Sequence, residues 1–327
     1  MVATGSWRSK SRQRMTLCTT RGRIVSDHRY ARPGVWRCGL SCLRFRFLKT
    51  FHQTMALAAC FATIMAIEPA RSDEILVSAA ASLTDAFNDI GKAYSAAHPG
   101  TVVRFNYGAS GALQQQIMLG APVDVFASAS PKEMDALDAA KRLDPGTRVN
   151  FAGNRLVLIV PSGGAATHWA DLRAPSVRRI AISNPDSVPS GRYAKETLTK
   201  RGLWTAVEPK MVLGENVRQT LTYVAGGNVD AGIVFATDAQ IEKRRVKIVD
   251  EAATGKDHSA IVYPVAVITR SPNSSGARQF VSFLITPAAQ AILERYGFAR
   301  SAGSSAIKPG LSVPHRKPIV RSSASKR

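Results

Sequence analysis

Cysteine is missing from most of this chain. Its 327 residues include four cysteines, Cys18, Cys38, Cys42 and Cys60, and none beyond residue 60. The later residues therefore have no disulfide framework and no thiolate metal site. Six histidines are scattered without an H-E-x-x-H pair, which argues against a zinc hydrolase. No G-x-x-x-x-G-K-[ST] run occurs, so the chain is not a P-loop ATPase. Gly108-Ala109-Ser110-Gly111 fails as a G-x-S-x-G nucleophile elbow, because Ala112 stands where the last glycine belongs. The carboxylates form no paired acid/base set and read as solvated helix faces. Neither an enzyme nor a catalytic cofactor is expected.

An even spread of charge is also missing. The net charge is +21, but residues 1–72 carry +11, residues 299–327 carry +7, and the 226 residues between carry only +3. A nearly neutral body is a poor nucleic-acid footprint. The basic N-terminal region lacks the helical periodicity of a helix-turn-helix, which argues against a DNA-binding regulator.

The two ends read as separate from the body. Arg44-Phe45-Arg46-Phe47-Leu48-Lys49 is basic, Thr54–Ile67 is apolar, and Glu68-Pro69-Ala70-Arg71-Ser72 supplies an A-x-S cleavage site. Together they predict a secretory signal cleaved after Ser72, with Asp73 as the mature start. The apolar run is short for a membrane span. A rival lipobox, Leu57-Ala58-Ala59-Cys60, is the lesser reading, because the apolar run continues past Cys60. The tail 299–327 is rich in Ser, Pro, Lys and Arg and is expected to be disordered.

Two small-hydroxyl turns stand out, each where a strand hands over to a helix. Ile75-Leu76-Val77 precedes Ser78-Ala79-Ala80-Ala81-Ser82-Leu83-Thr84. Val102-Val103-Arg104-Phe105 precedes Tyr107-Gly108-Ala109-Ser110-Gly111-Ala112. Each turn sets a serine beside the free N–H groups of a new helix, which suits an anion. Neither turn holds Lys or Arg, so the anion is expected to be compact and held by neutral donors.

Around these turns the body alternates β-like runs with amphipathic stretches, an α/β pattern. Helical spacing covers Leu83–His98, stopped by Pro99-Gly100. Strands are expected at Thr101–Phe105, Val123–Ala127, Leu156–Val160, Arg179–Ile182, Met211–Leu213, Ala231–Phe235, Val246–Val249 and Tyr263–Thr269. One closing helix is expected over Ala277–Tyr296. Strands near 155–160 and 263–269 are candidates for crossovers between two lobes.

The body resembles the periplasmic molybdate-binding proteins of bacterial ABC importers. The likeness rests on Ala79-Ala80-Ala81-Ser82-Leu83-Thr84, Gly120-Ala121-Pro122-Val123-Asp124-Val125-Phe126, and Val188-Pro189-Ser190-Gly191-Arg192-Tyr193-Ala194-Lys195-Glu196. It continues through Glu215-Asn216-Val217-Arg218, Gly232-Ile233-Val234-Phe235, Tyr263-Pro264-Val265-Ala266-Val267 and Arg295-Tyr296-Gly297-Phe298. The resemblance implies a two-lobed periplasmic binding fold of type II, each lobe a mixed, mostly parallel sheet flanked by helices. Lobe one would span 73–154 and 265–298, and lobe two 155–264. The implied ligand is molybdate or tungstate, with sulfate or another tetrahedral oxyanion as the alternative. The implied partners are a membrane permease and its cytoplasmic ATPase, served by a monomer.

By motif, Ser82 and Ser110 would give hydroxyl and N–H donors, and Ser190 and Val217 backbone N–H donors. Molybdenum would enter only as the bound oxyanion. The fifth matching position, commonly tyrosine, is Phe235, which cannot donate. The Ser190 hydroxyl is the expected replacement. Plainer roles stand beside these: Ser82 as a helix cap, Ser110 as a turn residue, Ser190 as a cap, Val217 as core and Phe235 as an apolar wall.

Overall fold

A computed structural model describes residues 73–300, which fall within one compact unit. The readings of a signal, a Ser72 cleavage site, Cys60 lipidation and, beyond residue 300, the disordered tail 299–327 lie outside the described residues; Ala299 itself is not loose, since it pairs with Gly153.

β1 (Asp73–Ala80) passes through one turn of 3-10 helix (Ala81–Leu83) into α1 (Thr84–Ala97). Then follow β2 (Thr101–Gly108), α2 (Ser110–Met118), β3 (Val125–Ala127), α3 (Pro131–Ala139) and β4 (Val149–Asn154). After the crossover come β5 (Leu156–Pro161), β6 (Ile180–Ser183), α4 (Pro189–Lys200), a short α5 (Trp204–Val207), β7 (Met211–Gly214) and α6 (Val217–Ala225). β8 (Ala231–Phe235), α7 (Ala236–Ile241) and β9 (Val246–Glu251) complete this part. β10 (Ile261–Val267), α8 (Ser274–Leu284) and α9 (Pro287–Arg295) close the fold.

These strands form two five-stranded sheets, ordered β2-β1-β3-β10-β4 and β7-β6-β8-β5-β9. The two orders are equivalent, which makes the lobes near copies in topology. In each sheet the three strands fed by strand–helix–strand units run parallel. The two strands next to the crossovers pair antiparallel. The sheets are therefore mixed, with parallel and antiparallel pairings in equal share. β10 pairs from Ile261 onward with β4, so residues 261–264 lie in the first sheet and not in the second. Pro264 has no N–H to give, and the register shifts between Tyr263 and Pro264.

α1 shows how the pattern becomes packing. Phe87, Ile90 and Tyr94 recur at helical spacing and are wholly buried. Phe87 meets Phe105 at 5.8 Å, Phe151 at 5.6 Å and Phe280 at 6.4 Å between ring centroids. Each such side chain adds about 1.5–3 kcal/mol of burial. Gly100, at φ +90, marks the stop. The closing segment departs from the expected single helix over 277–296. It breaks after Leu284, because Thr286 caps a new helix and accepts from the Ala289 N–H at 3.4 Å, with Pro287 in its first turn. Among the described residues, no helix is long and apolar enough to cross a membrane.

Candidate functional site

Helix N-termini from both sheets meet at one cavity. Ser82 sits in the 3-10 turn after β1, and Ser110 opens α2 after β2. Ser190 is the second residue of α4 after Pro189, and Val217 opens α6. Phe235 ends β8. All five line one small cavity of about 10 Å³. That space suits a particle of a few atoms and excludes a sugar or amino acid.

The first-turn N–H groups of a helix have no partner within it, so each terminus offers free donors and a positive dipole end. At α6 the Asn216 side chain accepts from the Arg218 and Gln219 N–H groups, both at 3.0 Å, which leaves that of Val217 to the cavity. The lining holds no charged residue, only small, apolar and neutral polar ones. It can therefore offer hydrogen bonds to an anion without neutralising it. Among the described residues, no cluster of His, Cys, Asp or Glu is fit for a metal cation.

The three serines differ in what their hydroxyls do. Ser110 Oγ accepts from the Ala129 N–H at 3.1 Å, which leaves its own proton free to donate. Ser82 Oγ lies 3.0 Å from the Tyr263 hydroxyl and does not cap α1. Ser190 Oγ donates to Ser183 Oγ at 2.8 Å. Ser183 in turn meets Thr220 Oγ1 at 2.9 Å, and Thr220 donates to the Asn216 carbonyl at 3.2 Å. The Ser190 proton is thereby committed inside the second lobe. This corrects the expectation that its hydroxyl replaces the one missing at Phe235, and leaves Ser190 its backbone N–H. Phe235 is buried, edge-on to Tyr193 at 6.4 Å and to Tyr263 at 6.0 Å, and forms an apolar wall.

Two arginines join the lobes beside the cavity, a role absent from the sequence reading. Arg192 of α4 meets Glu133 of α3 at 2.6 Å and donates to Ser130 at 2.9 Å. Arg218 of α6 meets Asp85 of α1 at 2.7 Å and Asp238 of α7 at 2.7 Å, and donates to the Ser82 carbonyl at 3.4 Å. Both guanidiniums are matched by carboxylates, so neither confers a net charge on the cavity.

Asp238 is wholly buried, and burial raises its carboxyl from 3.8 to about 6 against the opposing pull of Arg218. A raised folded value means that stability is full below 3.8 and falls as pH rises through about 6. Asp238→Asn should remove that decline. Thermal unfolding across this window should slope downward with pH in the parent relative to the variant; parallel profiles would show that Asp238 does not titrate there.

Tyr263, Asn154 and Arg218 were not singled out individually by sequence reasoning. Tyr263 and Arg218 lie within the quoted motifs, yet nothing local marks them. Asn154 lies 109 residues from Tyr263, its contact beside the cavity.

Comparison with known proteins supports the same picture. A model of the bacterial extracellular solute-binding protein family matches residues 75–299. The putative ABC transporter substrate-binding lipoprotein YvgL of Bacillus subtilis is 38% identical over 256 residues, covering 77% of this chain and 96% of that protein. The molybdate-binding protein ModA of Escherichia coli is 37% identical over 234 residues, covering 69% and 88%. The solved periplasmic molybdate-binding protein of Azotobacter vinelandii aligns with a TM-score of 0.62 at 28% identity, covering 69% of this chain and 99% of that one.

Proposed function

The chain belongs to the bacterial extracellular solute-binding protein family, among the ModA proteins that serve ABC importers, and from that premise we propose that it captures molybdate, with tungstate as an equivalent ligand, for delivery to a permease. The observation that carries this reading is the small uncharged cavity into which helix N-termini of both sheets point. Ser82 and Ser110 offer hydroxyl and N–H donors from the first lobe. Ser190 and Val217 offer N–H donors from the second. Phe235 closes the cavity without a polar contact.

A dianion stripped of water costs far more than an ordinary buried polar group. Charge-assisted hydrogen bonds of about 1.5–3 kcal/mol each offset that cost, and the helix dipoles add to them. A donor-lined cavity also selects. Protonated phosphate carries an O–H that needs an acceptor, and no carboxylate or imidazole lines the cavity. Sulfate satisfies the same donors as molybdate, so the span between the lobes must separate those two.

Because the donors are divided between lobes, the ligand favours the state in which the lobes meet. That state, docking as a monomer, presents both lobes together to the permease, whose ATPase drives uptake. No catalytic cofactor enters this scheme.

Calorimetric titration with molybdate, tungstate, sulfate and phosphate tests the reading. Tight binding of the first two, with phosphate silent and sulfate weaker by orders of magnitude, is the expected result. A preference for sulfate would replace the ligand but keep the mechanism. Silence towards all four would end the oxyanion reading.

A further inference from the structure

We infer that Tyr263 is a positioning residue that turns the Ser82 hydroxyl into a one-way donor aimed at the ligand. The inference rests on the oxyanion reading of the cavity. Asn154 is the last residue of β4, beside the crossover. The Asn154 side-chain oxygen accepts from the Arg155 N–H at 2.9 Å, which fixes the orientation of the amide. Its nitrogen then faces two hydroxyls, donating to Thr237 Oγ1 at 2.9 Å and to the Tyr263 hydroxyl at 3.1 Å.

The Tyr263 oxygen receives a hydrogen from Asn154, and its own hydrogen needs an acceptor. Among the described residues, Ser82 Oγ at 3.0 Å is the partner that remains. Were Ser82 to donate to Tyr263 instead, the tyrosine proton would be buried without a partner, an expensive arrangement. The Ser82 lone pairs would then face the anion. With Tyr263 donating, Ser82 Oγ accepts from behind and directs its proton into the cavity. Successive donors in one direction polarise each other, which strengthens the last bond.

Tyr263 is wholly buried and does not line the cavity, so it acts through Ser82. Burial, and next the nearby Asp238 carboxylate, push its hydroxyl above the ordinary tyrosine value, so it keeps its proton and remains a donor. The ring is held by Phe298 at 5.4 Å, Phe235 at 6.0 Å and Phe151 at 6.3 Å. Phenylalanine at this position keeps those contacts and removes only the hydroxyl. Asn154 joins Thr237, at the head of α7, to Tyr263 in the first sheet, so the relay ties the aim of Ser82 to the junction between lobes.

The experiment is a double-mutant cycle on the purified chain, with sodium molybdate as the probe and tungstate and sulfate alongside. Tyr263→Phe should weaken molybdate binding about tenfold in the parent. In a Ser82→Ala background it should change affinity not at all. Thermal unfolding without ligand should show Tyr263→Phe costing less stability in the Ser82→Ala background, where the tyrosine proton has already lost its acceptor; the coupling in affinity between the two positions is what separates a positioning role from a purely structural one. Asn154→Ala provides a second arm if Tyr263→Phe does not fold, and should weaken binding only while Ser82 is present. Parent-like affinity in Tyr263→Phe, or an equal loss in both backgrounds, overturns the inference while leaving the site intact. A parent silent to all three anions overturns the site reading and this proposal with it.

Discussion

Gly111→Ala is expected to lower molybdate affinity at least about a hundredfold while leaving the ligand-free protein as stable as the parent, or more so. Gly111 is the second residue of α2, in the first lobe. Its N–H donates to the Ser187 carbonyl of the second lobe at 2.9 Å. A Cβ on Gly111 would stand 2.5 Å from that carbonyl oxygen and 3.1 Å from the Ser187 carbonyl carbon and Cα. The obstacle is backbone, which has no rotamer to yield. Gly111 has no positive φ, so alanine is compatible with its conformation. In a helix, alanine gains up to about 1 kcal/mol over glycine. The clash therefore falls on the approach of the lobes and not on either lobe alone. Holding them apart withdraws the Ser190 and Val217 N–H donors, two charge-assisted bonds of about 1.5–3 kcal/mol each. Calorimetry measures the affinity and thermal unfolding the stability. Unchanged affinity would mean that the lobes do not meet at Ser187 in the complex.

The first lobe's share of the site was legible because it is written in side chains. A strand followed by a small hydroxyl turn marked Ser82 and Ser110, and the structure places both at the heads of helical segments beside the cavity. The second lobe's share was not written that way. A backbone N–H carries no residue identity, so Val217 looked like core, and only the resemblance picked it out. Ser190 shows the opposite hazard. Its hydroxyl looked like the donor missing from Phe235, yet Ser183 accepts its proton.

Two misreadings of the fold have plain causes. β4 was not predicted as a strand, because Gly153-Asn154 reads as a breaker, yet Gly153 pairs with Val262 within the ladder. The closing helix was read through Thr286-Pro287, although that pair signals a cap and a new first turn. Other motif residues serve packing. Asp124, inside the quoted Gly120–Phe126 stretch, accepts from the Leu76 N–H at 2.7 Å and the Ser271 hydroxyl at 2.5 Å. It ties β1 to the segment before α8 and takes no part in the cavity lining. Tyr296, in the closing motif, donates to Asp89 at 2.8 Å and pins the last helix to α1.

Replacing three serines one at a time should separate a donor-built site from a merely well-shaped one. Ser82→Ala removes the proton directed into the cavity, which is expected to cost about 1.5–3 kcal/mol of binding, or roughly tenfold to a hundredfold and more. Ser110→Ala should cost a similar amount of affinity and, like Ser82→Ala, which leaves the buried Tyr263 proton without its acceptor, destabilise the ligand-free protein. The Ser110 oxygen accepts from the Ala129 N–H, and Ala129 is buried, so that donor would be left without a partner. Ser190→Ala should leave affinity nearly unchanged, because its hydroxyl points at Ser183 and its backbone N–H survives the substitution. The Ser82→Ala, Ser110→Ala double variant should lose more affinity than either single variant, up to about the sum of two to four orders of magnitude, and any departure from the sum measures their coupling through the shared anion. A cavity that recognised molybdate by shape alone would respond to the three single changes about equally, since each removes one oxygen from its wall. Titration of all four variants with molybdate, beside their ligand-free unfolding midpoints, decides between these accounts. A large loss in Ser190→Ala alone would contradict the proton assignment on which the serine contrast depends.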